Sequence, residues 1–263
     1  MNQVVIHLNR LVFGGILLLM LASCEGILNI EVVGDGKSVE PQERVHPSFT
    51  SIEFYDDFTL QVRQGENQQV QVQADANLLS YIHTEVVRGT LLIRRLPNYT
   101  LIPREPVVIT VTTSRLDLLE VFGDGRVYID SLKTDLSDLK FYARSSVKAS
   151  GLEVDHLKVW GNGGGVIDLE GNFGEFQLRQ VGSGSIIVRG HADKARLIQE
   201  GSGKIEAGDL AADYLNVGLN GSGLVYCRSL SFLGIEIEGS GRVFYRGAAP
   251  AEVKAPENQV GSY

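Results

Sequence analysis

A short phrase, Gly-Ser-Gly followed by apolar residues at alternate positions, recurs along the second half of the chain every 18 to 20 residues. When the second glycine of each copy is taken as a marker, the residue two positions later is always Val or Ile. A fixed period near twenty, with one side-chain class at one place in every copy, is typical of stacked repeats that bury their apolar sides against each other. The markers are Gly125, Ser145 (in the degenerate copy Ala143-Arg144-Ser145), Gly165, Gly184, Gly203, Gly223 and Gly241.

Within each copy the apolar residues alternate with polar or small ones, which indicates β-strands. The glycines would form the corners, because glycine tolerates positive φ and close backbone approach. Propeller blades need a period of roughly 40–45 residues and leucine-rich repeats need a different leucine frame, so neither architecture fits. The pattern predicts an all-β fold, a single-stranded parallel β-helix (β-solenoid), right-handed because parallel crossovers nearly always are. The expected inward side chains are Val127, Val147, Ile167, Ile186, Ile205, Val225 and Val243, and on the preceding arm Leu119, Leu139, Val159, Leu178, Leu197, Val217 and Ile235.

The first 23 residues have the pattern of an export signal. Arg10 precedes an apolar run, residues 11–21, that is too short to cross a bilayer comfortably. The run ends in Leu21-Ala22-Ser23-Cys24, which resembles the bacterial lipobox. That resemblance implies cleavage before Cys24, with a diacylglycerol thioether and an N-acyl chain on the cysteine as a stable membrane anchor. The alternative is an ordinary cleavable signal with an incidental cysteine.

Composition shifts divide the chain into four parts. Residues 1–23 are the expected signal peptide. Residues 24–47, with several Gly and Pro and scattered charge, are the expected tether. Residues 48–115 alternate without the repeat and are expected to form a β-rich opening region that covers the first rung, since solenoid ends need caps. Residues 116–263 contain the rungs and an irregular C-terminal cap.

The formal net charge of −8 and the pI of about 5.2 exclude whole classes of partner. Nucleic acid requires a basic footprint, and electrostatic docking on anionic lipid requires basic clusters. Cys24 and Cys227 are the two cysteines. With Cys24 acylated, Cys227 has no partner for a disulfide, and its inward position predicts a buried structural thiol.

Three features together resemble the auto-transporter adhesin head GIN domain family. They are residues 58–65, the Ala74-Asp75-Ala76-Asn77-Leu78-Leu79 segment and the serial Gly-Ser-Gly-aliphatic phrases, so the resemblance spans about residues 48–245. It implies a β-helical domain, frequent in envelope lipoproteins of Bacteroidetes-type bacteria, with a surface or adhesive role. It supplies no catalytic residues. The copies at Gly123-Asp124-Gly125 and Ala143-Arg144-Ser145 depart from the phrase.

An enzyme that processes polysaccharides is the rival class, because β-helices also host lyases and hydrolases. Glycoside cleavage usually needs two carboxylates a few ångströms apart. The candidates Asp124, Asp130 and Asp168 show no such pairing, and Asp168 and Glu206 are expected two rungs apart with Ile187 between them. The four histidines after the leader, His46, His83, His156 and His191, show no metal-ligand spacing, so no metal and no cofactor are expected.

Gln180 and Gln199 occupy matching inward slots on adjacent rungs. A stacked amide ladder, in which each side chain satisfies the next, is the structural interpretation. A polar channel is the functional alternative.

Positions between the inward residues should face outward. Phe122, Tyr142 and Trp160 then leave the same arm of three successive rungs, with Lys140 and Arg179 beside Trp160. Aromatic residues clustered beside cations mark interaction sites, although the opening region could instead fold over this face and bury them. The sequence therefore predicts a non-catalytic, lipid-anchored cell-envelope protein, in the outer membrane, acting as an adhesin or scaffold. Its expected partners are the membrane through the anchor, a glycan or an envelope or matrix protein, and a second copy of the chain.

Overall fold

The structure, a computed structural model, describes residues 29–37, 39–248, 250–256 and 258–263. These residues form nineteen strands and a short 3-10 helix, Leu79–Tyr81. The strands are β1 (Ile30–Val33), β2 (Gln42–Arg44), β3 (Ser51–Phe54), β4 (Thr59–Gln64), β5 (Gln69–Gln73), β6 (Ile82–Val87), β7 (Thr90–Arg95), β8 (Tyr99–Ile102), β9 (Val108–Thr113), β10 (Leu118–Val121), β11 (Arg126–Ala143), β12 (Ser146–Gly163), β13 (Val166–Gly182), β14 (Ser185–Gly201), β15 (Lys204–Gly221), β16 (Leu224–Gly239), β17 (Arg242–Gly247), β18 (Glu252–Lys254) and β19 (Val260–Ser262).

The repeat builds a β-solenoid of about seven turns, as predicted. Each of the long strands β11 to β16 runs nearly once around the axis and pairs in parallel with the next. Equivalent residues of successive copies lie side by side, for example Ile167 with Ile186, Ile186 with Ile205 and Ile205 with Val225. The repeat period is therefore the length of one coil.

The core lies inside the coils. None of the seven branched aliphatics expected two positions after a marker is more than 4% exposed. The preceding arm is equally buried, so the inward pattern is confirmed. Burying one such side chain stabilises the fold by about 1.5–3 kcal/mol, and stacking seven of them in one column makes the repeat a single continuous core.

The Gly-Ser-Gly phrase forms a corner in which the two glycines meet different demands. The first glycine of each clear copy has φ between +108° and +120°, a region that L side chains rarely adopt. The second lies directly on the coil before it: a Cβ added at Gly203 would stand 2.6 Å from the carbonyl oxygen of Gly184. The serine between them is exposed. Both properties expected of the corners, positive φ and close approach, are present.

The opening region does more than cover the first rung. Strands β3 and β4 pair in parallel with β10 and β11 on one side and with β7 and β9 on the other. The coil formed by β3 and β4 thus lies between strands that follow it in sequence. Antiparallel pairs β5–β9 and β6–β7 close this end, and β6–β7 is the hairpin around Arg88 and Gly89, both at positive φ.

Two segments of the expected tether, residues 24–47, form strands. Strand β1 pairs in parallel with β8, and β2 pairs antiparallel with β5. The physical reason is that β5 and β8 offer strand edges, and an exposed edge is a template for any extended segment nearby.

The side chain of Asp75 connects the start of the described chain to the opening region through hydrogen bonds. The fully buried carboxylate accepts backbone N–H bonds from Gly36 at 2.7 Å, Arg104 at 2.9 Å and Glu105 at 3.2 Å. Burial alone would raise the pKa of Asp75, but these three donors outweigh it and hold the pKa below its ordinary value. One side chain therefore joins residues 36, 75 and 104–105.

The C-terminal end continues the coil. Strand β18 pairs with β16, and β19 pairs with β17, both in parallel. Residues Val260–Ser262 thus begin one more, truncated turn.

Gln180 and Gln199 are buried neighbours, as expected, but they do not form the predicted amide ladder. The Oε1 atom of Gln180 and both amide atoms of Gln199 lack hydrogen-bond partners. Gly161 lies below them in the same column and Leu219 lies above. Neither can complete the ladder, because glycine has no side chain to donate or accept a hydrogen bond and that of leucine is apolar. A cavity of about 10 Å³ beside Gln180 is at the lower size limit for a single water molecule.

Candidate functional site

An aromatic ladder lies on one outer face of the solenoid. Its members are Tyr55, Phe122, Tyr142 and Trp160, one from each of four adjacent coils. Phe122 stacks on Tyr55 with ring centroids 4.7 Å apart and on Tyr142 at 4.9 Å, with the planes within 13° of parallel. The strand register aligns these positions, because Val121 lies beside both Phe54 and Phe141. Parallel stacking of strands thus converts a one-per-coil aromatic into a continuous stack.

Trp160 ends this ladder and differs from the other three. It meets Tyr142 edge-on, with centroids 5.8 Å apart and an interplanar angle of 60°. Among the described residues it has no other ring contact, and no cation lies over it. The ring is 38% exposed. Phe122 is stacked on both sides, and Tyr55 and Tyr142 are each stacked on Phe122, whereas the indole of Trp160 is in no parallel stack and is the ring best placed to receive a ligand at the groove.

The opening region does not bury the aromatic residues. Phe122 is 36% exposed and Tyr55 is 43% exposed. The opening region instead contributes Tyr55 as a further ring. The alternative in which residues 48–115 fold over this face is wrong, because β3 stacks edge to edge beneath β10 rather than across it.

Lys140 and Arg179 flank Trp160 directly in the strand register. Each is already paired, Lys140 with Glu120 at 3.1 Å and Arg179 with Glu200 at 2.9 Å. Burial alone would lower the pKa of Lys140, but the hydrogen bond and the charge of Glu120 outweigh it and raise the pKa. Lys140 therefore keeps its charge, and both cations lie beside the indole.

A groove of about 330 Å³ opens beside the ladder. Its floor lies over the strand backbone at Leu139, Val159 and Leu178, whose side chains are buried in the core, and its outer walls are formed by the column that contains Trp160. The neighbouring column supplies polar groups in the order Asp138, Lys158, Gln177 and Arg196, which lie next to each other on four successive coils. This groove joins an exposed indole to charged and amide groups in one concavity.

Lys158 and Arg196 are exposed, and neither has an ion pair or a side-chain hydrogen bond among the described residues. The Oδ1 atom of Asp138 is buried without a hydrogen-bond partner. The sequence analysis did not select these three residues. Their signal was their place in the repeat, two positions before the column of Lys140, Trp160 and Arg179.

The candidate catalytic carboxylates Asp124, Asp130 and Asp168 are dispersed, and two of them form ion pairs. Asp168 and Glu206 lie two coils apart with Ile187 between them, as expected. Asp168 forms an ion pair with Arg189, and Asp124 pairs with Arg144 at 2.8 Å.

One cluster was missed from the sequence. His191, Asp193 and Asp213 place one ligand atom each within 4.8 Å of one another, although the sequence spacing showed no ligand pattern. Parallel stacking aligns Ala192 with Ala212 and so brings the two aspartates together. The side chain of Asp193 is 71% exposed, so nothing encloses a substrate or an ion there.

A second aromatic group was also missed, near the C-terminal end. Tyr226 stacks on Phe244 at 5.2 Å and meets Tyr263 edge-on at 5.5 Å. Lys204 lies 5.0 Å above the ring of Tyr226, and Arg246 lies 5.2 Å from that of Tyr263. These rings are covered by each other and by cations, so they stabilise the last coils.

Cys24, the expected lipidation site, lies outside the described residues. In the part of the chain that the structure describes, no helix has the length and apolar character needed to cross a bilayer.

Comparison with known proteins decides the family. A model of the family described as "Putative auto-transporter adhesin, head GIN domain" matches residues 48–249. The chain belongs to this family. The resemblance seen in the sequence is confirmed, and it includes the opening region as well as the repeat. A search of curated proteins found no match.

Solved structures share the fold over most of the chain. A putative adhesin from Parabacteroides merdae has a TM-score of 0.79 at 20% identity, covering 89% of this chain and 99% of its own. A putative adhesin from Parabacteroides distasonis has a TM-score of 0.78 at 23% identity, covering 89% and 100%. A protein from the same organism described as a putative lipid binding protein has a TM-score of 0.78 at 24% identity, covering 89% and 99%.

Proposed function

We propose that this protein is a non-catalytic adhesin of the bacterial cell envelope that binds a glycan through the groove beside Trp160. Family membership and the fold shared with structures described as adhesins support the adhesive role. The observation that carries the choice of ligand is the unstacked, exposed indole of Trp160 at the wall of a groove whose other groups include an amide and charges.

The chemistry of the groove suits a sugar. The flat C–H face of a pyranose ring packs on an indole, which offers a large apolar surface with little loss of side-chain entropy. The ring hydroxyls need donors and acceptors around that face. Lys158, Gln177 and Arg196 line the groove beside Trp160 and are polar groups of this kind.

Membrane attachment is the second part of the proposal. Acylation of Cys24 would tether the protein to the outer membrane and leave the solenoid face free to meet a partner. The test is Cys24→Ser followed by cell fractionation. Transfer of the protein from the membrane to the soluble fraction supports acylation, and an unchanged membrane fraction and gel mobility contradicts it.

Lipid binding is the second candidate function, because one structural neighbour is described as a putative lipid binding protein. Cleavage of polysaccharide is the third, and Asp193 with Asp213 is the carboxylate pair to test. Release of reducing ends from a bound polysaccharide, abolished by Asp213→Asn, would replace the adhesin proposal with an enzyme.

The experiment for the adhesin proposal compares two aromatic substitutions on a glycan array. Trp160→Ala removes the uncovered indole. Tyr128→Ala removes a similarly exposed ring, 42% accessible, from a different face of the solenoid. We expect Trp160→Ala to lose binding and Tyr128→Ala to retain it, with the melting temperatures of both close to that of the parent. Equal retention by the two variants would overturn the assignment of the groove.

A further inference from the structure

The groove beside Trp160 contains two cations that form no ion pair with any described residue. The chain as a whole has 32 acidic residues against 24 basic ones, so acids to pair with are abundant. On this face Lys140 and Arg179 are both paired with glutamates. Lys158 and Arg196, in the adjacent column, are not paired with any described residue. Two unused positive charges on the same side of one groove point to an external anion.

The spacing of these cations follows from the coil geometry. Lys158 lies beside Gln177, and Gln177 lies beside Arg196, so the two cations are two coils apart along the solenoid axis. Adjacent parallel strands are about 4.8 Å apart, which separates their backbones by roughly 10 Å. The indole of Trp160 lies in the neighbouring column on the same coil as Lys158, and Arg179 lies on the coil between the two cations. A chain laid along the axis would meet Lys158, then the level of Arg179, then Arg196.

We propose that the groove binds an acidic polysaccharide, a chain that carries carboxylates at regular intervals. This rests on the proposed glycan-binding function and specifies its ligand class. One sugar ring packs on Trp160, and two successive acid groups of the chain pair with Lys158 and Arg196. The amide oxygen of Gln177, which lies between the two cations in the same column, accepts a hydrogen bond from a sugar hydroxyl.

An acidic polysaccharide suits this site better than a membrane surface. Docking on anionic lipid draws on clusters of about four to eight basic residues, whereas two of the four cations on this face are already paired with glutamates. Two cations recessed in a groove of about 330 Å³ fit a linear chain rather than a flat array of headgroups.

The probes are polygalacturonate and the same polymer with its carboxylates methyl-esterified. The two share the sugar backbone and differ in charge. Binding of the full chain carrying Cys24→Ser, which has no acyl anchor to insert into a bilayer, is measured by surface plasmon resonance without detergent, with vesicles of phosphatidylglycerol as a third probe. We expect binding to polygalacturonate that weakens with added salt, and binding to the ester weaker by about tenfold or more, since a hydrogen-bonded charge is worth at least that factor.

Matched charge reversals locate the contact. Lys158→Glu with Arg196→Glu reverses the two groove cations. Lys148→Glu with Arg228→Glu makes the same change of charge at exposed residues outside the groove. The groove variant should lose about tenfold or more in affinity for polygalacturonate, and the control variant should lose much less. An equal loss in both variants would show a non-specific charge effect and overturn the site.

The outcomes separate this inference from the function on which it rests. If the ester binds as tightly as the acid and Trp160→Ala still loses both, the ligand is a neutral glycan, and only the acidic specificity fails. If neither polymer binds and Trp160→Ala affects no ligand on the array, the glycan-binding function fails as well. Binding to vesicles without binding to polygalacturonate would replace the proposal with a lipid surface.

Discussion

Gly201→Ala tests the structural reason for the repeat. Gly201 is the first glycine of its corner and has φ of +110°. A Cβ there would stand 2.8 Å from the carbonyl oxygen of Gly182 on the preceding coil. That oxygen cannot easily retreat, because it accepts hydrogen bonds from the backbone N–H groups of Ser202 at 3.1 Å and Gly203 at 2.9 Å. The methyl group therefore meets both an unfavourable backbone conformation and a fixed neighbour.

The magnitude follows from these two effects. Holding a non-glycine residue in such a conformation costs about 1–3 kcal/mol. Moving the Gly182 carbonyl weakens two coil-to-coil hydrogen bonds that contribute about 1 kcal/mol each. The free energy of unfolding should fall by about 3–5 kcal/mol, which for a chain of this size lowers the melting temperature by about 10 °C.

Two control variants separate these effects, with melting followed by circular dichroism. Gly89→Ala has positive φ, +79°, but nothing within 4 Å of the added Cβ, so it should lose only the conformational part, about 1–2 kcal/mol. Ser202→Ala changes an exposed side chain in the same corner and should stay within about 0.5 kcal/mol of the parent. If Gly201→Ala melts together with Ser202→Ala, the corner does not require glycine and the physical explanation of the repeat is wrong.

Three further predictions concern buried groups. Ile205→Asp places an unpaired charge between Ile186 and Val225, so it should prevent folding or lower the free energy of unfolding by more than about 4 kcal/mol. The control Glu206→Asp, on the outer side, should melt like the parent, and equal melting of the two variants would refute the inward register. The pKa of Asp75 is lowered in the folded protein, so its carboxylate stabilises the fold fully above the unfolded-state pKa of about 3.9, and this stabilisation is lost as pH falls through the folded-state pKa. Over that acidic range the free energy of unfolding should fall more steeply with pH in the parent than in Asp75→Asn. Parallel curves of unfolding free energy against pH would contradict the role of the charge. Burial raises the pKa of the Cys227 thiol to about 12. In the Cys24→Ser protein this thiol should therefore resist Ellman's reagent at pH 8 until denaturant is added. Rapid labelling of the native protein would place Cys227 outside the core.

The rungs could be predicted from the sequence because their physics is local and repeated. A branched aliphatic two residues after each marker has one way to be buried in every coil, and the column from Val127 to Val243 follows from that rule. The opening region could not be predicted to the same depth. Its strands β3 and β4 pair with β7 and β9 as well as with β10 and β11, and such insertion out of sequence order leaves no periodic trace.

The candidate site also contains residues that the sequence predicts and residues that it does not. Phe122, Tyr142 and Trp160 were found because they occupy outward positions of a known register. Tyr55 was not, because the coil of β3 lies outside the repeat and its alignment with Phe122 depends on long-range pairing. The sequence predicts cations beside Trp160, but it does not show which of them form ion pairs, because ion pairing depends on the direction of each side chain. Lys140 and Arg179 were selected beside Trp160, whereas the unpaired cations are Lys158 and Arg196.

The fluorescence of Trp160 is the most direct test of the central claim, that a glycan binds in the groove beside this residue. It is the only tryptophan in the chain, so its emission reports on the groove without any label. Titration with polygalacturonate should give a saturable change in emission and protection from quenching by acrylamide, with the same midpoint as the independently measured binding curve. Saturable binding of the polymer with unchanged emission and unchanged quenching would place the ligand elsewhere on the molecule and contradict the account.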